Sequence, residues 1–477
     1  MAIAVSDTNI ALTDLHTRMP FSFGSVTIDA LPHLFVELTV QIDGESVTGY
    51  AADHAVPKWF EKDPELTVAD DIERIQETVD RACERSLELE ADTPFRFWRS
   101  LIDSQLEWAD RNGIPSILAS FGVSFVERAV IDAVCRHEGT TFGDALRDGT
   151  FGIEPGSIYE ELSGTDPAEA LPDSPERSVA VRHTVGHDDP LTAAEIADPV
   201  ADGLPQSLAE YARTDGVRYF KCKLSGDVAA DRERLTAIAD VIDAELDEYG
   251  VTVDANEQYQ SIDELERLWR ELAGEDALAE FVDSLICIEQ PLDRSIALSP
   301  EAGEMLDDWD GPPIIIDESD GKPGSLGEAA RLGYAGASVK SCKGVFKSVV
   351  NAALVSRLNE RNEGKYLLTA EDLTTIGPVS LQQDLALVAS LGFGHVERNG
   401  HHYFRGLDAL PDELQDRTLE THGDLYRRHE EGFPTLDIDG GTLALDSVVD
   451  APYGTPTRPD LKAFTPAAEW SVETLGL

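Results

Sequence analysis

Three carboxylates and four lysines in this chain fall where they could do chemistry together. Asp254, Glu289 and Asp317 each close a short apolar run, in Val253-Asp254-Ala255-Asn256, Ile288-Glu289-Gln290-Pro291 and Ile316-Asp317-Glu318. On either side lie Lys221-Cys222-Lys223 and Val339-Lys340-Ser341, with Lys343 just beyond, in a chain that has only 10 lysines. A single carboxylate at the end of an apolar run is ordinarily a helix cap or a loop ion pair. Three brought together repel one another in a partly dry site and call for a cation. All-oxygen ligation with room for water suits Mg²⁺, with Mn²⁺ able to replace it, whereas zinc would recruit His or Cys. Ammonium groups beside a divalent cation should have lowered pKa values, so that one lysine can act as a base. The plainer alternative for the lysines is ion pairing with the three carboxylates.

What must position these residues is legible in the pattern between them. From about residue 178 onward, short β-rich runs alternate with amphipathic helical stretches, and strands are predicted at 179–183, 219–224, 251–255, 285–290, 314–318, 337–341, 366–370 and 394–397. The steps from Lys223 through Asp254, Glu289, Asp317, Lys340 and Glu371 to His395 are 31, 35, 28, 23, 31 and 24 residues. Each step fits one strand-loop-helix-loop unit, and eight units make a (β/α)₈ barrel, an α/β fold, with a doubly wound open sheet as the alternative. Charged residues at the C-terminal ends of successive barrel strands converge on one mouth. Period-2 alternation puts Lys221 and Lys223 on one face and Cys222 on the other.

Residues 1–150 read differently. Alternating apolar and polar positions around residues 34–40, an Asp43-Gly44 hairpin signal and a strand near 46–48 predict antiparallel strands. Helical spacing follows at 68–90, 95–111 and 125–138. This is an α+β unit before a barrel at 151–410, and 411–477 should pack back on barrel or cap.

The ordered set Lys-x-Lys, Asp-x-Asn, Glu-Gln-Pro, Asp-Glu-Ser and Val-Lys, with Lys343-Gly344 after it, resembles the enolase superfamily. Within it the set is similar to the mandelate racemase/muconate lactonizing enzyme family and its muconate lactonizing subgroup. Residues 125–132 are similar to the last helix of that family's capping domain. The resemblance implies that Asp254, Glu289 and Asp317 ligate Mg²⁺, that Lys223 and Lys340 are the acid/base pair, and that Lys221 stabilises a substrate carboxylate or its enolate. It implies α-proton abstraction from a small-molecule carboxylate, by a site with a Lys or His base and Mg²⁺. Two lysines on opposite faces permit racemisation or epimerisation; one base and a leaving group give cycloisomerisation or elimination, and the sequence allows both.

Departures from the family bear on substrate. Glu397-Arg398-Asn399-Gly400 stands where dipeptide epimerases carry Asp-x-Asp-Gly, which argues against a free-amine dipeptide; Arg398 is placed to favour a second carboxylate. Glu371 is placed to orient Lys340 or to serve as a second acid, and Asp372 to cap a helix. Asn256, Glu318, Lys343 and Tyr50 complete the candidates for touching substrate or supporting the groups that do. A surface or packing role is expected for His401 and His402. Loops at 19–23 and 50–58 should close over the mouth. A metal-dependent hydrolase or phosphoryl-transfer barrel would need a His-rich cluster or a phosphate-cradling glycine loop, and neither is found. A non-catalytic, metal-stabilised barrel is the remaining alternative.

Composition sets the outer bounds. With 38 basic against 91 acidic residues the net charge is −53. Such a charge disfavours nucleic acid and anionic membrane as partners. Spread over the whole sequence, it resembles the acidity of haloarchaeal proteins and predicts salt-dependent stability. Five widely spaced cysteines read as buried thiols of a reducing cytoplasm. No charge-free apolar stretch reaches membrane-spanning length, and the N-terminus lacks a secretory pattern. Homo-oligomerisation is expected, as is common in the family.

Overall fold

The computed structural model describes residues 1–23, 26–362 and 364–476. The N-terminal unit begins with three antiparallel strands, β1 (Ile3–Phe23), β2 (Val26–Ile42) and β3 (Glu45–His54). Asp43 and Gly44 turn the β2–β3 hairpin with φ of 50° and 89°, the left-handed pair that a two-residue hairpin needs. Three helices cover the sheet: α1 (Val68–Ser86), α2 (Pro94–Asn112) and α3 (Ser116–Glu138). Thr67 and Asp70 form a capping box at the start of α1, and α2 starts on Thr93 with Pro94 in its first turn. Helix α3 is apolar nearly all round because it is sandwiched between the sheet and the barrel; it begins nine residues earlier than its periodicity suggests, since a helix buried on every side has no polar face to mark it. Gly49 lets β3 approach α3 directly, for a Cβ there would lie 1.9 Å from the Ala129 carbonyl oxygen.

The second unit is a curled parallel sheet of eight strands, the α/β barrel architecture expected from the spacing. In chain order the barrel strands are Ser178–Val185, Tyr219–Lys223, Gly250–Asp254, Leu285–Glu289, Ile314–Ile316, Gly336–Val339, Leu367–Ala370 and His395–Glu397. Each is hydrogen-bonded to the next through the seventh, and the eighth pairs with the first. Among the described residues no ladder joins the seventh strand to the eighth. Arg182, fully buried on the first strand, spans that seam: its guanidinium reaches His395 Nδ1 at 2.7 Å, the Ala370 carbonyl at 3.1 Å and Glu371 Oε1 at 2.7 Å.

The chain end returns to both units. Thr442–Ala444 pairs with the first barrel strand, and Thr465–Pro466 pairs with β1. All five cysteines are buried free thiols. Among the described residues no helix is long and apolar enough to cross a membrane.

Candidate active site

Strand register brings the charged residues level. Lys223 pairs with Asp254 and Asp254 with Glu289, so three neighbouring strands end at one height. Backbone strain then turns the loops away: Asn256, Glu257 and Gln290 all have left-handed φ, at 39°, 70° and 37°. Such conformations in non-glycine residues persist where the surroundings over-determine them. Gln290 uses its position to fix the next ligand candidate, its Oε1 accepting from the Asp317 and Ser319 amides at 2.8 and 3.1 Å.

Lys221 is the hub. Its buried Nζ lies 2.6 Å from Glu371, 2.8 Å from Glu289, and 3.0 Å from both Asp254 and Glu397. Lys223 donates to Asp254 Oδ2 and Asn256 Oδ1, each at 2.7 Å. Lys340 lies 2.6 Å from Asp317 Oδ2 and 3.1 Å from Glu371, beneath the Trp59 ring at 4.8 Å. Lys343 and Ser338 share the other oxygen of Asp317, at 2.8 and 2.6 Å.

The sequence expectation of lowered lysine pKa values presupposes a neighbouring divalent cation, and the protein groups alone push the other way. Burial by itself would lower Lys221 and Lys340, but the surrounding carboxylates outweigh it and hold both ammoniums well above their ordinary range. Asp317, although buried, is held below the carboxylate range by Lys340 and Lys343, and Glu371 by Lys221, Lys340 and Arg182. Glu289 is the exception. Burial, then Asp254 and Glu371, push its pKa well up. Both Glu289 oxygens are buried and receive no hydrogen bond, with Lys221 the close cation. Oxygens of Glu289, Asp317 and Glu371 lie within 4.8 Å of one another, a spacing that could hold a metal ion. A hard divalent cation fits this all-carboxylate set and would satisfy the Glu289 oxygens. Asp254 is less free: Lys223, Lys221 and the Asn256 amide occupy it.

Above the cluster is a cavity of about 40 Å³. Lys221, Lys223 and Lys340 form its floor; Phe21, Val56 and Trp59 from the N-terminal unit form its ceiling, and Asp372, Thr374, Glu397 and Asn399 its wall. The ceiling is tied down on two sides. Arg18 pairs with Asp202 at 2.5 Å and donates to the His402 carbonyl, while Arg294 holds the Trp59 and Phe60 carbonyls and Glu257. A third tie reaches the barrel from α3: Glu127 accepts from the amides of Val345 and Phe346 at 3.0 and 2.7 Å, where the helix after the Lys340 turn begins.

Not every sequence candidate lies in the cavity. Tyr50 faces Glu37 across the β2–β3 ladder and does not line the cavity. Arg398 is fully buried and bound to Asp372 at 2.7 Å and Asp384 at 3.4 Å, so it supports the wall and does not line it. Glu318 accepts from Asn256 and does not line the cavity. His401 and His402 are buried against His183 and Tyr211. Sequence reasoning missed Arg182, Trp59, Thr374 and Glu127. A lone arginine in the apolar run Val179-Ala180-Val181-Arg182 was the available signal for the first; the others carry none.

No family model matches the chain, and no curated protein does. Solved structures do. A mandelate racemase/muconate lactonizing protein from Herpetosiphon aurantiacus is 18% identical with a TM-score of 0.58, covering 96% of this chain and 99% of its own. The fold is shared with these enzymes. The L-Ala-D/L-Glu epimerase of Bacillus subtilis is 14% identical with a TM-score of 0.58, over 97% of this chain and 99% of the epimerase. An enolase from Bradyrhizobium, complexed with magnesium and mandelic acid, is 14% identical with a TM-score of 0.57, over 98% of this chain and 97% of its own.

Proposed function

We propose that this chain is an enolase-superfamily enzyme of the muconate lactonizing type that removes the α-proton of a small carboxylate and returns a proton to the resulting enediolate, racemising or epimerising it. The observation that carries the reading is that Lys223 and Lys340, from the second and sixth barrel strands, line one cavity with Lys221 and the carboxylate cluster beneath them. Asp254, Glu289 and Asp317, the set the resemblance implies, would hold Mg²⁺, or Mn²⁺ in its place; the carboxylates whose oxygens lie within 4.8 Å of one another are Glu289, Asp317 and Glu371, so Glu371 would share in the site. An ion held there would supply positive charge, which would acidify the α-proton and offset the second negative charge of the enediolate.

The residues of the chain do the rest. Lys221 offers an ammonium to a substrate carboxylate oxygen, fixed in place before reaction. One of Lys223 and Lys340 accepts the proton from Cα, and the other donates one to the opposite face; the substrate carbon is inverted and no atom is lost. Asn256 orients Lys223, and Asp317 with Glu371 orients Lys340. The cap excludes water from the intermediate. The family resemblance supports this reading, as do two of the fold relatives, one an epimerase and the other complexed with magnesium and mandelic acid.

The test is α-proton exchange in D₂O with Mg²⁺ and high salt, followed by NMR. Deuterium entering Cα, lost in Lys223→Ala and Lys340→Ala, is the expected result; no exchange by folded, Mg²⁺-binding protein overturns the reading. Deuterium in both enantiomers marks racemisation, and loss of a leaving group marks the lyase or cycloisomerase outcome. The expected homo-oligomer is tested by light scattering.

A further inference from the structure

The seventh barrel strand is the weakly held edge of the sheet, and the way its end is fixed bears on the cation site. Among the described residues Leu367–Ala370 has a ladder on one side only, to the sixth strand. Glu371 follows directly at its C-terminal end. A carboxylate that must meet those of the fourth and fifth strands from such an edge has to be fixed by something other than the sheet.

Arg182 does this from the first strand. One of its nitrogens donates both to the Ala370 carbonyl, at 3.1 Å, and to Glu371 Oε1, at 2.7 Å; another meets His395 Nδ1 at 2.7 Å. Gripping the last strand residue by its carbonyl and the next residue by its carboxylate sets the Glu371 side chain against its own backbone. A planar guanidinium can make these bonds at once, which a single ammonium cannot. His395 is braced in turn, stacked on Tyr219 with ring centroids 4.5 Å apart.

With Oε1 taken, Oε2 of Glu371 is left to the cluster. There Lys221 bridges it to Glu289, at 2.6 and 2.8 Å, so a positive charge already sits between these two carboxylates. Glu289, Asp317 and Glu371 are the carboxylates whose oxygens come within 4.8 Å of one another. Both oxygens of the fully buried Glu289 accept no hydrogen bond, and an oxygen-seeking divalent cation is the partner that suits them.

We propose that Glu371 is a metal ligand in this chain and that Arg182 is the positioning residue that fixes it, so that the cation site draws on the seventh barrel strand. This rests on the metal-dependent reading above and adds a ligand and its support. Arg182 acts on the metal only through Glu371.

The test uses the full chain in high salt, stripped with EDTA, with Mn²⁺ alone as the probe. Free Mn²⁺ is read by electron paramagnetic resonance and the water on the bound ion by solvent-proton relaxation. Glu371→Gln, nearly isosteric, should weaken Mn²⁺ binding at least about tenfold, and Arg182→Met should do so within the range of about 10- to 100-fold seen when the group orienting a ligand is lost. Both should raise the relaxation, because water enters the position that Glu371 leaves; a residue that only joined the strands would not change that hydration. Arg182→Lys should recover part of the affinity. If Arg182→Met does not fold, His395→Ala, which removes one brace from the guanidinium, replaces it and should weaken binding several-fold. Unchanged affinity and hydration in Glu371→Gln overturns the proposal, and a weakened Glu371→Gln beside unchanged Arg182 and His395 variants overturns the part of Arg182. Wild-type protein that binds no Mn²⁺ overturns the metal-dependent reading and this inference with it. Affinity lost in Glu289→Gln but kept in Glu371→Gln leaves that reading standing and sinks this inference alone.

Discussion

The floor and the ceiling of the cavity obey different physics. Below, three lysines are locked among buried carboxylates at 2.6 to 3.1 Å, each group depending on several others. Above, the aromatic and aliphatic side chains of the N-terminal unit meet the cavity through carbon, and the segment is tied down through Arg18, Lys62 and the Trp59 and Phe60 carbonyls. A charged cluster in low dielectric is intolerant, since losing one member strands the rest; an apolar roof loses only contact area. Chemistry should therefore reside in the floor and selectivity in the roof.

That contrast can be broken most directly at the lysines. Lys340→Ala should lower the α-proton exchange rate by about 10³-fold, within the range of positioned acid/base groups, as NMR in D₂O would register. Trp59→Ala should instead raise KM about tenfold with kcat little changed, as expected when ground-state and transition-state contacts are lost equally; steady-state kinetics checks it, and an equal fall in kcat would erase the distinction.

Stability sharpens the same comparison. Lys221→Met leaves the Glu289, Glu371, Asp254 and Glu397 carboxylates without their shared cation and should cost about 3 kcal/mol or more, read as a lower denaturant midpoint in the absence of metal. The cap responds to acid. His33 is fully buried with no hydrogen bond to either ring nitrogen, and burial, with Arg128 nearby, lowers its pKa to about 3. The unfolded chain takes up that proton from about pH 6.5 downward, while the folded chain does not until about pH 3. His33 thus contributes stability above about pH 6.5 that is lost as pH falls toward 3, by up to about 1.4 kcal/mol per pH unit. His33→Leu should flatten the melting-temperature profile across that window. Smallest at any one site, and spread over the surface, is the salt effect: with a net charge of −53, raising KCl toward molar concentration should raise the melting temperature steadily as self-repulsion is screened.

The floor was largely legible in the sequence because barrel geometry turns spacing into position. Lys223, Asp254, Glu289 and Asp317 end strands whose period is set by one β/α unit, so linear order becomes angular order around the mouth. The start of α3 was not legible, because a helix buried on every side loses the periodicity that marks a boundary. Nor was the fate of Arg398: its carboxylate partners Asp372 and Asp384 lie 26 and 14 residues away, and nothing local tells a guanidinium facing a cavity from one facing inward. The unpaired seam between the seventh and eighth strands, and Arg182 filling it, depend on the closure of the whole sheet.

The bond from Glu127 to the Val345 and Phe346 amides bears on how this molecule could be rebuilt. It runs from the unit that shapes selectivity to the helix that follows a proposed acid/base lysine. The two units are therefore not interchangeable parts. A chimera that borrows a cap from a fold relative to change its selectivity must also bring an acidic residue to that spot on its last helix, or the turn carrying Lys340 loses its anchor along with the old roof.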